Sequence, residues 1–234
     1  EADRIDIEEL FEETLRKCYA DDYKKNKGKH FSSPEELREF YEDGKAILNN
    51  FKKKKNAHFS KKGWYLVGCE LPIVMSPNLR LNNVKYMGYL DIVMYHEPTN
   101  TFKIIDIKTS TKGWGSYAKK DESKQFQLVL YKYFFSKQYN IPIENIDIEF
   151  FIVRRKVYLG GEYPQKRIQT FVPSSGKVKV NKATTNLNEF INKAFNLDGS
   201  YKDTIFNAKP SKWNCNFCPY KQKPELCSAV GKNF

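Results

Sequence analysis

The chain contains no run of about 18 apolar residues, the least that a helix needs to cross a bilayer, so no membrane anchor is expected. Its acidic start, EADRIDIEEL, lacks the basic-then-apolar form of a secretory signal. Cysteine is scarce and odd in number at 5, spaced unlike the disulfide framework of a secreted domain. Together these absences imply an intracellular, reducing setting. Acids are also in deficit, with 28 Asp and Glu against 40 Lys and Arg, which leaves a net charge of +12. Some of that excess is simply a lysine-rich composition. A basic surface of this size nonetheless points to a polyanionic partner.

Aromatic residues are plentiful. With 17 Phe, 15 Tyr and 40% hydrophobic content, the 234 residues can bury one substantial core and carry an appended piece. The patterning divides the chain into an N-terminal helical region over residues 1–56, an α/β core over 57–200 and a cysteine-bearing segment over 201–234. Ile7, Leu10, Phe11, Leu15 and Cys18 have helical spacing within residues 5–23. Ser33, Pro34, Glu35 and Glu36 form a helix start, with a cap, a proline in the first turn and acids at the positive end of the dipole. That helix is expected to run to about residue 51, leaving Lys52 to Lys55 either as its solvated end or as phosphate contacts. Residues 118–139 and 178–197 read as further helices, and residues 64–75, 146–157 and 166–172 as strands.

The remaining organisation centres on residues 86–131. Residues 86–95 and 102–107 read as strands, and HEPTN between them reads as a turn, so the two pair as a hairpin. In a strand, residues i and i+2 share a face. Asp106 and Lys108 therefore point the same way, with Asp91 beside them from the neighbouring strand. Two like charges in a half-buried sheet are costly. Either Lys108 neutralises them in a structural ion-pair network, or a hard divalent cation such as Mg²⁺ or Mn²⁺ sits among the carboxylates.

Four elements appear in order: Glu70 in GCELPI, Gly88 to Asp91 in GYLD, Asp106 to Lys108 in DIK, and Gln127 to Tyr131 in QLVLY. This order, in a strand–turn–strand–helix context, resembles the PD-(D/E)XK nuclease superfamily and most closely its RecB-like exonuclease branch. The resemblance implies a restriction-endonuclease-like fold, with a mixed central sheet flanked by helices. It also implies that Asp91, Asp106 and the Ile107 carbonyl are metal ligands, and that Glu70 is a further acid binding directly or through water. Lys108 would polarise the attacking water or stabilise charge on the phosphate, while Gln127 and Tyr131 brace the site. Relatives act in recombination, repair, phage replication and CRISPR adaptation. Many of them carry a histidine at the position that Leu48 occupies in GKAIL; His58 is out of pattern and reads as an exposed loop residue.

Other segments carry weaker expectations. Lys112 and Trp114, in the loop after Lys108, are placed to grip a phosphate or stack on a base, although Trp114 could equally pack against the sheet. Arg154 and Arg155, at a strand end with Lys156, Lys166 and Arg167, are a candidate basic groove. Cys69 reads as a small buried hydrophobe. Cys215, Cys218 and Cys227 are close enough to suggest a metal site. The RecB-like resemblance suggests a [4Fe–4S] cluster with Cys18 as the fourth ligand; zinc or an empty remnant stays open. The expected function is a metal-dependent deoxyribonuclease, an exonuclease working on DNA ends or single strands. The alternatives are a nucleic-acid-binding module of the same fold without catalysis, and a zinc-ribbon interaction protein.

Overall fold

The computed structural model describes residues 4–59, 62–77, 83–160, 162, 164–203 and 210–227. Helix α1 spans Ile7–Lys25, with the Asp6 carboxylate capping the Glu8 and Glu9 N–H groups. Helix α2 spans Pro34–His58. Ser33 and Glu36 close a reciprocal capping box at its start. The helix runs past its expected end and takes in the whole of Lys52 to Lys55, because lysine is a good helix former and nothing there breaks the pattern. His58 is therefore the last residue of α2 and not a loop residue, and its ring meets Phe151 edge-on with centroids 5.1 Å apart.

Strands β1 (Trp64–Met75), β2 (Tyr86–His96) and β3 (Thr101–Ser110) form an antiparallel meander. A single 3₁₀ turn, Glu97–Thr99, joins β2 to β3 and ends on Asn100 in the left-handed conformation that Asn tolerates. After β3 come the short α3 (Ser116–Lys120) and the long α4 (Glu122–Tyr139), separated where Asp121 caps the second helix through the Ser123 N–H. Helix α4 is the crossover to β4 (Ile146–Arg154), which lies parallel to β3. Strand β5 (Ile168–Phe171), helix α5 (Lys177–Ala194) and the short α6 (Lys212–Asn216) complete the described elements. The sheet order is β1-β2-β3-β4-β5, a mixed sheet in an α/β fold.

The parallel pair at the centre is the most deeply buried part, as such pairs must be. Ile104, Ile146, Ile148, Phe150 and Ile152 pack beneath Leu128, Val129 and Phe135 of α4 and Val180 and Ala183 of α5. On the other face, Met94, Ile105, Phe151 and Ile168 meet Phe51 and Phe59 from the end of α2 and the residue after it. Helices thus reach both faces, but α4 and α5 cover one of them far more fully.

A slip in this alternation prepares the site. Strict alternation would put Leu90, Ile92 and Met94 on one face. Instead Leu90 joins the α4 side with Val93, while Ile92 and Met94 belong to the α2 side. On β1 the register shifts between Leu66 and Gly68, and Glu70 has a positive φ of 51°. Glu70 stands opposite Asp91, one residue past the point where the β2–β3 pairing stops: its last pair is Ile92 with Ile105. Beyond that point the two strands part.

Candidate active site

Asp91 and Asp106 each lie one residue past that last pair, so the acids flank the mouth of the split. Asp106 is buried, held on the α4 side of β3 by the same alternation that buries Ile104. Asp91 turns its Oδ2 onto the backbone of the partner strand and accepts a hydrogen bond from the Ile107 N–H at 2.6 Å. The N–H freed by the end of the ladder is thereby satisfied.

Lys108 closes the arrangement. Its Nζ lies 2.7 Å from Asp106 Oδ2 and donates to Gln127 Oε1 at 3.1 Å. Gln127 in turn donates from Nε2 to the Tyr131 hydroxyl at 3.2 Å, one turn along α4. Tyr131 lies against β2 at Gly88, where an added Cβ would come within 2.7 Å of the ring. The glycine is required by this close approach. The spaced motifs in the sequence are thus one physical chain: Gly88 admits Tyr131, Tyr131 fixes Gln127, Gln127 holds Lys108, and Lys108 faces Asp106.

The electrostatics are unresolved by protein groups alone. Burial raises the Asp106 pKa above the ordinary carboxylate value, and Asp91 pushes it the same way, against the opposing pull of Lys108. Apart from the ion pair with Lys108 at 2.7 Å, the buried Oδ2 has no partner among the described residues. A buried carboxylate oxygen in that state, within electrostatic reach of a second carboxylate, offers hard-oxygen donors of the kind that Mg²⁺ or Mn²⁺ prefers. These residues fit a divalent cation.

Other expected site residues fall elsewhere. Glu70 is exposed on β1, between the residues paired to Leu90 and Ile92, and so at the level of Asp91. It does not close a three-acid cluster: among the described residues no group of three His, Cys, Asp or Glu side chains is gathered to hold a metal. The same result applies to Cys18, Cys215, Cys218 and Cys227. Cys18 is exposed on α1, and the others are half-buried without converging, so they do not fit an iron–sulfur cluster or a zinc site as placed. Cys69 is exposed and not a buried hydrophobe.

The basic groove is also redrawn. Arg155 lies 3.6 Å from Asp43 and stacks over Phe40, and Lys156 pairs with Glu39 at 2.7 Å and Asp43 at 3.1 Å, so both cations tie β4 to α2. Arg154 donates to the Lys166 carbonyl and packs against Gly113. Trp114 takes the packing alternative. It is half-buried against Phe150 and Phe171, and Gln169 clamps its backbone on both sides at 2.9 and 3.0 Å. Lys112 stands exposed on the same loop. Sequence reasoning missed the Ile107 N–H and Gln169. Neither carries a local signal, since each acts on a residue 16 or 55 positions away.

A family model described as the PD-(D/E)XK nuclease superfamily matches residues 1–223. The chain belongs to that superfamily. No curated protein matches the chain. The matched span takes in Asp91 and the linked set Asp106, Lys108, Gln127 and Tyr131, so in this PD-(D/E)XK chain four of the motif residues form one connected series.

Proposed function

We propose that this chain is a metal-dependent deoxyribonuclease of the RecB-like type, an exonuclease acting on DNA ends or single strands in recombination, repair or phage replication. The observation that carries the reading is the buried Asp106 carboxylate, which has only Lys108 as a side-chain partner among the described residues, set beside Asp91 at a split in the sheet. Such a group is a liability in a purely structural site and an asset where a cation and a phosphate meet.

Asp91, Asp106 and the Ile107 carbonyl would hold the cation, with Glu70 reaching it through water from its exposed position on β1. A bound Mg²⁺ or Mn²⁺ supplies Lewis-acid relief of charge at the scissile phosphate. The chain's own residues do the positioning. Lys108, held by Gln127, keeps its ammonium at the acid pair, where it orients the attacking water or stabilises charge growing on the phosphoryl oxygens. Tyr131 restricts Gln127 to one rotamer, and hence Lys108 to one place. The net charge of +12 supports a polyanionic substrate.

The deciding experiment is digestion of end-labelled single- and double-stranded DNA, linear and circular, with Mg²⁺ or Mn²⁺. Linear DNA is expected to shorten from its ends while circles persist, and Asp106→Ala and Lys108→Ala are each expected to lose at least 100-fold in rate. Cleavage of covalently closed circles would overturn the exonuclease assignment, and absence of hydrolysis of every DNA form would overturn the enzyme.

A further inference from the structure

Behind the acid pair, across the thickness of the sheet, lies a cavity of about 670 Å³. That is the size of a small-molecule site. Its floor is aromatic and aliphatic: Phe59, Trp64, Met94, Ile105 and Phe151. Phe59 and Phe151 sit with centroids 5.9 Å apart, and His58 stands edge-on to Phe151. Burial lowers the His58 pKa, and Lys166 acts in the same direction against Glu149.

The polar groups divide between two ends. At one end Lys103 and Glu149 pair at 3.0 Å, with the Lys103 ammonium 5.5 Å from the centre of the Trp64 ring. This end offers a donor and an acceptor beside an aromatic face. At the other end stand Arg154 and Lys166. Among the described residues neither is in an ion pair, so this end carries uncompensated positive charge. Glu149 and Arg154 are separated along β4 by roughly 16 Å of strand; Arg154 leaves β4 from the opposite face and borders the cavity with its Nε packed at Gly113 and its Nη1 on the Lys166 carbonyl. An aromatic slot with hydrogen-bonding groups at one end and cations at the other has the polarity of a base joined to a phosphate.

We propose that this cavity is a second, non-catalytic site for a nucleoside monophosphate unit, with the base among Phe59, Trp64 and Phe151 and the phosphate at Lys166 and Arg154. The unit is either a free nucleotide or one residue of a single strand. The site uses none of the residues of the acid pair and needs no divalent cation, so it stands or falls separately from the nuclease reading.

Calorimetric titration of the full chain in EDTA tests it, with 2′-deoxyadenosine 5′-monophosphate, deoxyadenosine, inorganic phosphate and the tetranucleotide (dA)₄ as probes. The monophosphate is expected to bind at least tenfold more tightly than deoxyadenosine or phosphate alone. Lys166→Glu and His58→Ala, each checked for an unchanged thermal midpoint, are expected to weaken it at least tenfold, and Asp106→Asn to leave it unaltered. Tighter binding of the monophosphate assigns the site to free nucleotide, and tighter binding of (dA)₄ assigns it to a strand. No saturation by any probe at millimolar concentration, or binding that survives Lys166→Glu and His58→Ala but falls with Asp106→Asn, overturns the proposal.

Discussion

A carboxylate that the fold disfavours should trade stability for activity. Asp106 is buried, and burial with Asp91 raises its pKa against the pull of Lys108, so replacing the charge with an amide removes a group the fold disfavours as well as a ligand. In EDTA, Asp106→Asn is expected to raise the melting midpoint by roughly 2–4 °C, the shift that about 1 kcal/mol produces in a chain of this size. Nuclease activity with Mg²⁺ should disappear. A lower midpoint in differential scanning calorimetry would show that the pair with Lys108 outweighs the cost of burying the carboxylate. Gly88 gives the complementary case. Gly88→Ala places a methyl 2.7 Å from the Tyr131 ring and is expected to cost about 1–3 kcal/mol, with Lys108 displaced through Gln127. The damage belongs to a contact. In the double variant Gly88→Ala/Tyr131→Ala the denaturation free energies should therefore fall short of the sum of the singles by at least about 0.5 kcal/mol. Additive losses would show that Gly88 is required for backbone reasons instead.

Elements differ in how far local sequence determines them, and this sets what could be read in advance. Strand β1 and the β2–β3 hairpin were legible because β-branched and aromatic runs there end at turn residues such as Pro98 and Asn100. The motif residues were legible because each sits on its own element and the hairpin fixes their faces. Ends decided by distant partners were not. Strand β4 stops at Arg154, and the next N–H groups, from Arg155 and Lys156, bond back to the carbonyls of Ser110 and Thr111. The roles of Arg155, Lys156, Trp114 and His58 likewise depend on Asp43, Gln169 and Phe151, none of them near in sequence. The slip in strand alternation around Glu70 and Asp91, which opens the site, has no compositional mark. One element-scale contact yields a pH test. Glu122, at the start of α4, accepts from Lys179 and Lys182 of α5, and those bonds lower its pKa from 4.5 to about 2. A carboxyl depressed on folding stabilises above its unfolded pKa and loses that contribution as pH falls through the folded value. Glu122→Gln should therefore melt below wild type at pH 7, by a small margin because the pair is exposed, and the gap should close between pH 4.5 and about 2. A gap independent of pH would exclude the ion pair as its source.

On the scale of the whole molecule, the net charge of +12 must be divided between cations that are spent inside the protein and those left for a partner. Arg155, Lys156, Lys179 and Lys182 are paired internally, holding α2 to β4 and α4 to α5. Lys52, Lys53 and Lys54 on α2 and Lys112 after β3 are exposed. Each exposed cation that neutralises a phosphate releases a condensed counterion, so affinity must fall with salt in proportion to their number. If roughly four such contacts form on a single strand, the slope of log K against log salt is about −3, from the coefficient of about 0.7 per contact. Measured with the inactive Asp106→Ala protein by fluorescence anisotropy on single-stranded DNA, Lys112→Ala should flatten that slope by about 0.7, and Lys156→Ala, which sits in an internal pair, should leave it unchanged. Equal flattening by both variants would show that the α2–β4 contacts give way to DNA on binding. The charge would then be shared between fold and substrate instead of divided between them.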